Sequence, residues 1–265
     1  MSSIRKENVV FFFISVFFIF LFISVSYAWD CKTHAYIAKR AGIRIPEAAC
    51  MPDIIRDENH DLLGPFHYHD AAPNTIVTAD YIDRFKVSEV NIQFEGNSFR
   101  VLVPHPAGIL YWKIVDLYEK MKNLDRTKPD NQLAYEYYMV TIAHFVGDLS
   151  QPLHNFPYAD KPSGDGKVYE EEGKFNRDYH YKFDEAFSYY LNNDPNIHSK
   201  INEHIKNIDL KSTEQLKNEI SAIANSAIKI ANQCYLEKRM PSEDELLKQV
   251  SWSISLLMAI IKSTN

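Results

Sequence analysis

H-F-V-G-D-L-S-Q-P-L-H, residues 144–154, decides how this chain folds and where its chemistry sits. His144 and Asp148 are four apart, so on a helix they share one face, one turn from each other. Leu133, Tyr137, Val140, Ile142, Phe145 and Val146 make residues 131–150 read as a largely buried helix. A histidine and an aspartate buried there without partners would be costly, and ligation to a metal would explain them. His154 follows just past Pro152, which kinks or breaks a helix and swings the next side chain back towards the same pocket. H-Y-K-F-D, residues 180–184, repeats the four-residue spacing with His180 and Asp184. Taken singly, such pairs also read as ordinary surface contacts between neighbouring helix turns. Two of them with His154 in one chain read as a metal site, and imidazole with carboxylate suits zinc.

Working outward, the N-terminal residues 1–28 combine Arg5 and Lys6, an apolar run from Val9 to Val25, and Ser26-Tyr27-Ala28. That pattern describes a secretory signal cleaved after Ala28, with an uncleaved membrane anchor through residues 9–25 as the alternative. The expected location is therefore periplasmic or extracellular. Loss of residues 1–28 moves the net charge from −6 to −7, so no basic surface for gripping duplex nucleic acid is evident. Cys31 and Cys50 are able to pair in an oxidising compartment, and Cys234 reads as core.

Most of the remaining chain reads as helix. Thr33–Arg40 is helical and stops at Gly42. Residues 46–74 form a long irregular stretch holding His60, His67 and His69. Residues 90–103 alternate and turn at Gly96-Asn97, a β-hairpin. Pro106 opens a helix through about Lys122. Residues 160–175, with three glycines and Pro162, read as a flexible lid ahead of the second His–Asp pair. Ser212 with Gln215 and Ser242 with Glu245 are capping boxes that start two C-terminal helices. The expectation is one mainly α domain, residues 29–265, with a small hairpin excursion.

With Trp29 first after the expected cleavage, His34 five beyond it, and the two motifs following, the chain resembles the zinc-dependent phospholipase C and single-strand-specific nuclease superfamily. The resemblance spans residues 29 to about 190, and G-D-x-x-Q-P-L-H is its specific core. It implies an all-helical domain holding three zinc ions. One would be held by the amine and carbonyl of Trp29 with His34, Asp148 bridging to a neighbour. The neighbour would sit on Asp53, His67, His144 and Asp148, and the remaining ion on His154, His180 and Asp184. His69 competes with His67, because residues two apart in an extended segment point the same way; Asp57 and His60 are weaker substitutes.

Three zinc ions would bring +6 against the three carboxylates, giving an acidic protein a locally positive pocket suited to phosphate. The expected activity is hydrolysis of a phosphodiester by a zinc-activated water, with Asp53 as a proton acceptor and no nucleophilic side chain. Asp53 to His67 has the phospholipase-like interval, whereas Trp29 to His34 has the nuclease-like one. Glu172-Gly173-Lys174-Phe175-Asn176 stands where the nucleases carry Gly-Gly-Asn, and Phe183 where they carry Trp. The phospholipases end the second pair with Glu, here Asp184. The reading leans to a phospholipid head group, with single-stranded nucleic acid as the alternative and a non-catalytic zinc-binding protein as a third reading from another class. No protein partner is implied, and a monomer is expected.

Overall fold

Helix α5, Pro129–Ser150, is the axis of the molecule. Its last ten residues, Thr141 to Ser150, are all buried, so this half has no solvent face and must be surrounded. The computed structural model describes residues 29–58, 63–94 and 97–265. The segment read as signal or anchor, His60, the side chain of Asp57 and the hairpin turn at Gly96 lie outside the described part.

The described residues form nine α-helices and one two-stranded sheet, the mainly α architecture expected. Helix α1 is Cys31–Arg40, α2 Met51–Glu58 and α3 Ala79–Arg84. Strands β1, Ser88–Phe94, and β2, Asn97–Val103, pair antiparallel with Ile92 opposite Phe99. Then come α4, Leu110–Lys122, and α5, followed by α6, Glu170–Asn193, and α7, Ile197–His204. Helices α8, Thr213–Glu237, and α9, Glu243–Thr264, close the chain. Helices α1, α4, α8 and α9 pack directly on α5. Each core aliphatic they bury against it, such as Ile142, Leu149, Ile220 and Leu256, contributes roughly 1.5–3 kcal/mol.

The helix starts follow their capping residues. Asp30 accepts the Thr33 N–H at 2.9 Å and opens α1 two residues earlier than Thr33 suggested. Ser242 and Glu245 cap each other reciprocally at α9. At α8 the box is half made: Ser212 accepts the Gln215 N–H, but the Gln215 side chain takes the Lys211 N–H instead. Cys31 and Cys50 form a disulfide that ties α1 to the 3₁₀ turn Pro46–Cys50 leading into α2. Cys234 lies in a small second core with Leu153, Phe156, Phe175 and Phe183, under the turn that carries His154.

Residues 160–175 differ from the lid expectation. Gly164 N–H donates to the Asp70 carbonyl at 2.8 Å, Ser163 N–H to that of Lys167, and Pro162 bridges Val168. From Glu170 onward the segment is already helix α6. The Gly and Pro content serves a tight, fastened turn rather than a free flap.

Candidate metal centre

Helices α1, α2 and α6 and two short 3₁₀ turns come together at the C-terminal end of α5. His34 comes from α1, Asp53 from α2, His144 and Asp148 from α5, and His180 and Asp184 from α6. His67 follows a short 3₁₀ turn, Gly64–Phe66, and His154 sits in another, Pro152–Asn155. All eight side chains are buried except His180, which keeps a partial opening to solvent. Trp29 is also buried, its indole N–H donating to Ser150 Oγ at 3.0 Å, and the next residue's N–H donates to the Asp184 carbonyl. The structure thus brings every residue of the expected ligand set to one place.

Three groups have ligand atoms within 4.8 Å of one another: His34, Asp53 and His144; His67, His144 and Asp148; and His154, His180 and Asp184. The last two follow the expected sets. His34 stands between two of them, stacked on His144 with ring centroids 4.0 Å apart and its Nε2 3.4 Å from Asp148 Oδ1. Asp148 is the hub. Its Oδ2 lies 3.1 Å from both His144 Nε2 and His67 Nδ1, and its Oδ1 also approaches His154 Nδ1 at 3.6 Å.

The hydrogen bonds around the histidines fix which nitrogen is free. His144 Nδ1–H donates to the Ala49 carbonyl at 2.8 Å, and His154 Nδ1–H to the His67 carbonyl at 2.7 Å. Asn176 donates its amide to the carbonyls of Leu153 and Phe156, so its oxygen is the acceptor left for His180 Nδ1–H at 2.7 Å. With both Nδ1 positions donating, His154 and His180 face each other through Nε2 lone pairs only 3.2 Å apart. Two lone pairs at that distance repel unless a cation lies between them. Gln151 donates to Asp184 Oδ1 at 2.6 Å and leaves Oδ2 turned to His180. These carboxamide and carbonyl contacts are the kind that orient metal ligands.

Unpaired atoms point the same way. Both His34 nitrogens, Asp53 Oδ2, Asp148 Oδ1 and Asp184 Oδ2 are buried with no hydrogen-bond partner. Such atoms are costly unless something charged meets them. Burial drives His154 down to about 4 and His180 well below the usual histidine range, keeping both neutral and able to ligate. Burial likewise pushes Asp184 well above the carboxylate range. Asp148 goes the other way: burial would raise it, but His144 and His154 hold it well below its usual value. A donor set of imidazoles and carboxylates in a desolvated pocket fits zinc.

His69 is not part of this arrangement. Its Nδ1 is paired with the Gly108 carbonyl at 3.0 Å and its Nε2 with the Tyr81 hydroxyl at 2.8 Å, which leaves no lone pair for a metal. Four contributors escaped the sequence reading. Asn176 and Arg56 carried a signal in their spacing, i−4 from His180 and i+3 from Asp53. Gln151 lies inside the quoted motif. Gly147 opens the G-D-x-x-Q-P-L-H core of that motif, but its spacing does not show its role: a Cβ there would meet the His34 ring at 2.6 Å, so only glycine lets that ring lie flat on α5.

Above the ligands opens a cleft of about 170 Å³. His67, His154 and His180 line it together with Arg56, whose Nη1 is 3.2 Å from Asp53 Oδ1. Tyr68, Tyr158, Lys161 and Asp70 complete the lining, with Leu153 as the one aliphatic side chain; burial pushes the Asp70 carboxyl well above its ordinary range, against the pull of Lys161. Comparison with curated proteins finds no match. Residues 30–253 match the S1/P1 Nuclease family. Zinc is that family's metal, three ions to a chain, and the three His/Asp groups here agree with it in number and donor type. With the match covering most of its length, the chain belongs to the S1/P1 nuclease family and is a zinc-dependent hydrolase of phosphodiester bonds.

Proposed function

We propose that this chain is an exported nuclease that cleaves single-stranded DNA or RNA. The observation that carries this reading is the wall of the cleft. Two tyrosine rings and two cations, Lys161 and Arg56, line the cleft that holds His67, His154 and His180, which suits stacked bases and phosphates. An acyl chain would find one aliphatic residue there. The family is one of typically secreted proteins, and export after Ala28 would free the Trp29 amine, one residue before the Asp30 N–H that donates to the Asp184 carbonyl.

In this reading one ion would be held by Trp29, His34 and Asp148, a second by Asp53, His67, His144 and Asp148, and a third by His154, His180 and Asp184. Bound zinc supplies Lewis acidity that activates water and polarises the phosphoryl oxygen. Asp53 takes the proton of the attacking water, and Arg56, paired with it, keeps that carboxylate in place and offers donors to the phosphoryl oxygens. His67, His154 and His180 shape the floor on which the phosphate rests. Deep burial of the carboxylates excludes bulk water from the charges that matter.

A phospholipase C activity is the second reading, and one feature favours it. An apolar groove of about 370 Å³, lined by Met51, Ile55, Leu63, Phe66 and Phe145, shares His67 with the cleft. The test is zinc content by elemental analysis run with hydrolysis of single-stranded DNA, RNA and phosphatidylcholine. About three zinc ions per chain and chelator-sensitive release of nucleotides are expected. Release of phosphocholine alone would replace the nuclease reading by the second one, and zinc without either product would reject both.

Gly147→Ala tests the placement of His34. The added methyl pushes the ring off the face of α5, so the variant should keep its helical circular dichroism and lose about one zinc ion per chain. A full zinc complement in this variant would remove His34 from the ligand set.

A further inference from the structure

We propose that Lys161 is a second phosphate contact, gripping the backbone one step along the strand from the bond being cut. This rests on the nuclease reading and makes the substrate a polymer rather than a small phosphate ester.

The ammonium of Lys161 lies 5.4 Å from the centroid of the Tyr68 ring and 5.7 Å from that of Tyr158. The one carboxylate that feels it is Asp70, buried in the same cleft and pushed well above the carboxylate range by that burial, and the two form no salt bridge among the described residues. Contact with ring faces holds a cation in place without neutralising it, so its charge and N–H donors stay available to an anion. Many other lysines of this chain are spent differently: Lys113 and Lys120 on Asp116, Lys200 on Asp194 and Glu243, and Lys217 on Asp83.

Its distance from the metal ligands sets which phosphate it meets. Tyr158 is in contact with both Lys161 and His180: the ammonium lies 5.7 Å from its ring centroid, and the ring is edge-on to the imidazole with centroids 5.8 Å apart. Lys161 itself touches rings of the cleft and none of the candidate zinc ligands, so we take it to meet a phosphate other than the one resting on those ligands. The next phosphate of the strand, with its base against Tyr68 or Tyr158, falls within reach of the ammonium.

The backbone that presents Lys161 is held at a cost. Ala159 has φ +51°, a left-handed conformation that an alanine adopts only with roughly 1–2 kcal/mol of strain. It is kept there by α6: Ala159 N–H donates to the Gly173 carbonyl at 2.9 Å, and a Cβ on Gly173 would meet the Ala159 carbonyl oxygen at 2.0 Å. On the other side, Gly164 fastens the turn to Asp70. Strain stored two residues before a cleft cation, with glycine required to permit it, marks a conformation kept for aiming that side chain.

The experiment compares wild type, Lys161→Ala and Lys161→Arg, all zinc-loaded, on oligothymidylate and on bis(4-nitrophenyl) phosphate across a range of salt. Loss of one phosphate contact should raise KM for the oligonucleotide about fivefold near 0.1 M salt and flatten the slope of log KM against log salt by about 0.7. Hydrolysis of the small diester should change less than about twofold, and arginine should restore most of the oligonucleotide KM. Gly173→Ala, which displaces Ala159 while keeping the lysine, should raise KM in the same way. An unchanged salt slope in Lys161→Ala, or equal losses on both substrates, overturns the proposal. A zinc-loaded wild type that cleaves no nucleic acid overturns the nuclease reading, and this proposal falls with it.

Discussion

Asp148→Asn is expected to lower hydrolysis at least about a thousandfold and to remove one or two zinc ions per chain, while leaving the helical content intact. The carboxylate is fully buried in the last turn of α5, and each of its oxygens serves two histidines. Asparagine has the same shape but carries no charge, and it turns an N–H₂ towards either His34 and His154 or His67 and His144. An amide is a weak zinc ligand and cannot bridge two ions by its nitrogen. Conserved volume protects packing, so the loss should fall on metal content and kcat rather than on folding. Elemental analysis, circular dichroism and kinetics on a single-stranded oligonucleotide read the three effects separately. A variant with a full zinc complement and wild-type kcat would show that Asp148 serves only to neutralise its histidines.

The same residue shows what could be read from the sequence. His144, Asp148, His180 and Asp184 were visible because helical geometry turns a spacing of four into a shared face without any knowledge of the tertiary structure. His154 was readable for a related reason, since Pro152 forces the chain to turn at once. The choice of His67 over His69 came from the family resemblance and not from local geometry, because it depends on what each ring meets across the fold: Gly108 and Tyr81 occupy His69, while His67 meets Asp148 and His144. Gly147 shows the limit most clearly. Its function is a contact with a ring on α1, and nothing in its own neighbourhood records that.

The fold class followed from apolar periodicity and caps, which are local, and so did the hairpin, whose alternation places Val90 opposite Val101. Residues 160–175 were misread for the complementary reason. Glycine and proline announce a change of direction, but whether the turn is free or fastened depends on partners such as the Asp70 carbonyl. The lean towards a phospholipid rested on intervals and on departures from the nuclease motif at residues 172–176 and at Phe183. Those positions turn out to serve structure: Asn176 orients His180, Gly173 admits Ala159, and Phe183 fills the small core under His154. Membership of the S1/P1 nuclease family moves the weight to nucleic acid.

Stripping the metal with a chelator should lower the melting temperature by at least about 10 °C and melt α2 before the rest of the protein. Asp53, Asp148 and Asp184 are all buried, and removing a partner from a buried charge pair costs about 3–5 kcal/mol. For a chain of this size each kcal/mol corresponds to about 2–4 °C. The loss will be uneven. Helix α5 is clamped by core contacts on every side of its second half and should persist. Helix α2 has no such support: Met51 and Ile54 are exposed, and its buried described residues are Asp53 and Arg56, an ion pair rather than a core. Two things that hold it in place are the disulfide at Cys50, just before its start, and the attraction of Asp53 to whatever positive charge the histidines share with it. With the cation gone, Asp53 is better solvated outside the pocket, and the short helix gives up little by leaving. Hydrogen exchange on the chelated protein should then show residues 51–58 unprotected while 141–150 stay protected, and added zinc should restore both the protection and the melting temperature. Equal protection of α2 with and without metal would mean that Asp53 is held by Arg56 alone and ligates nothing.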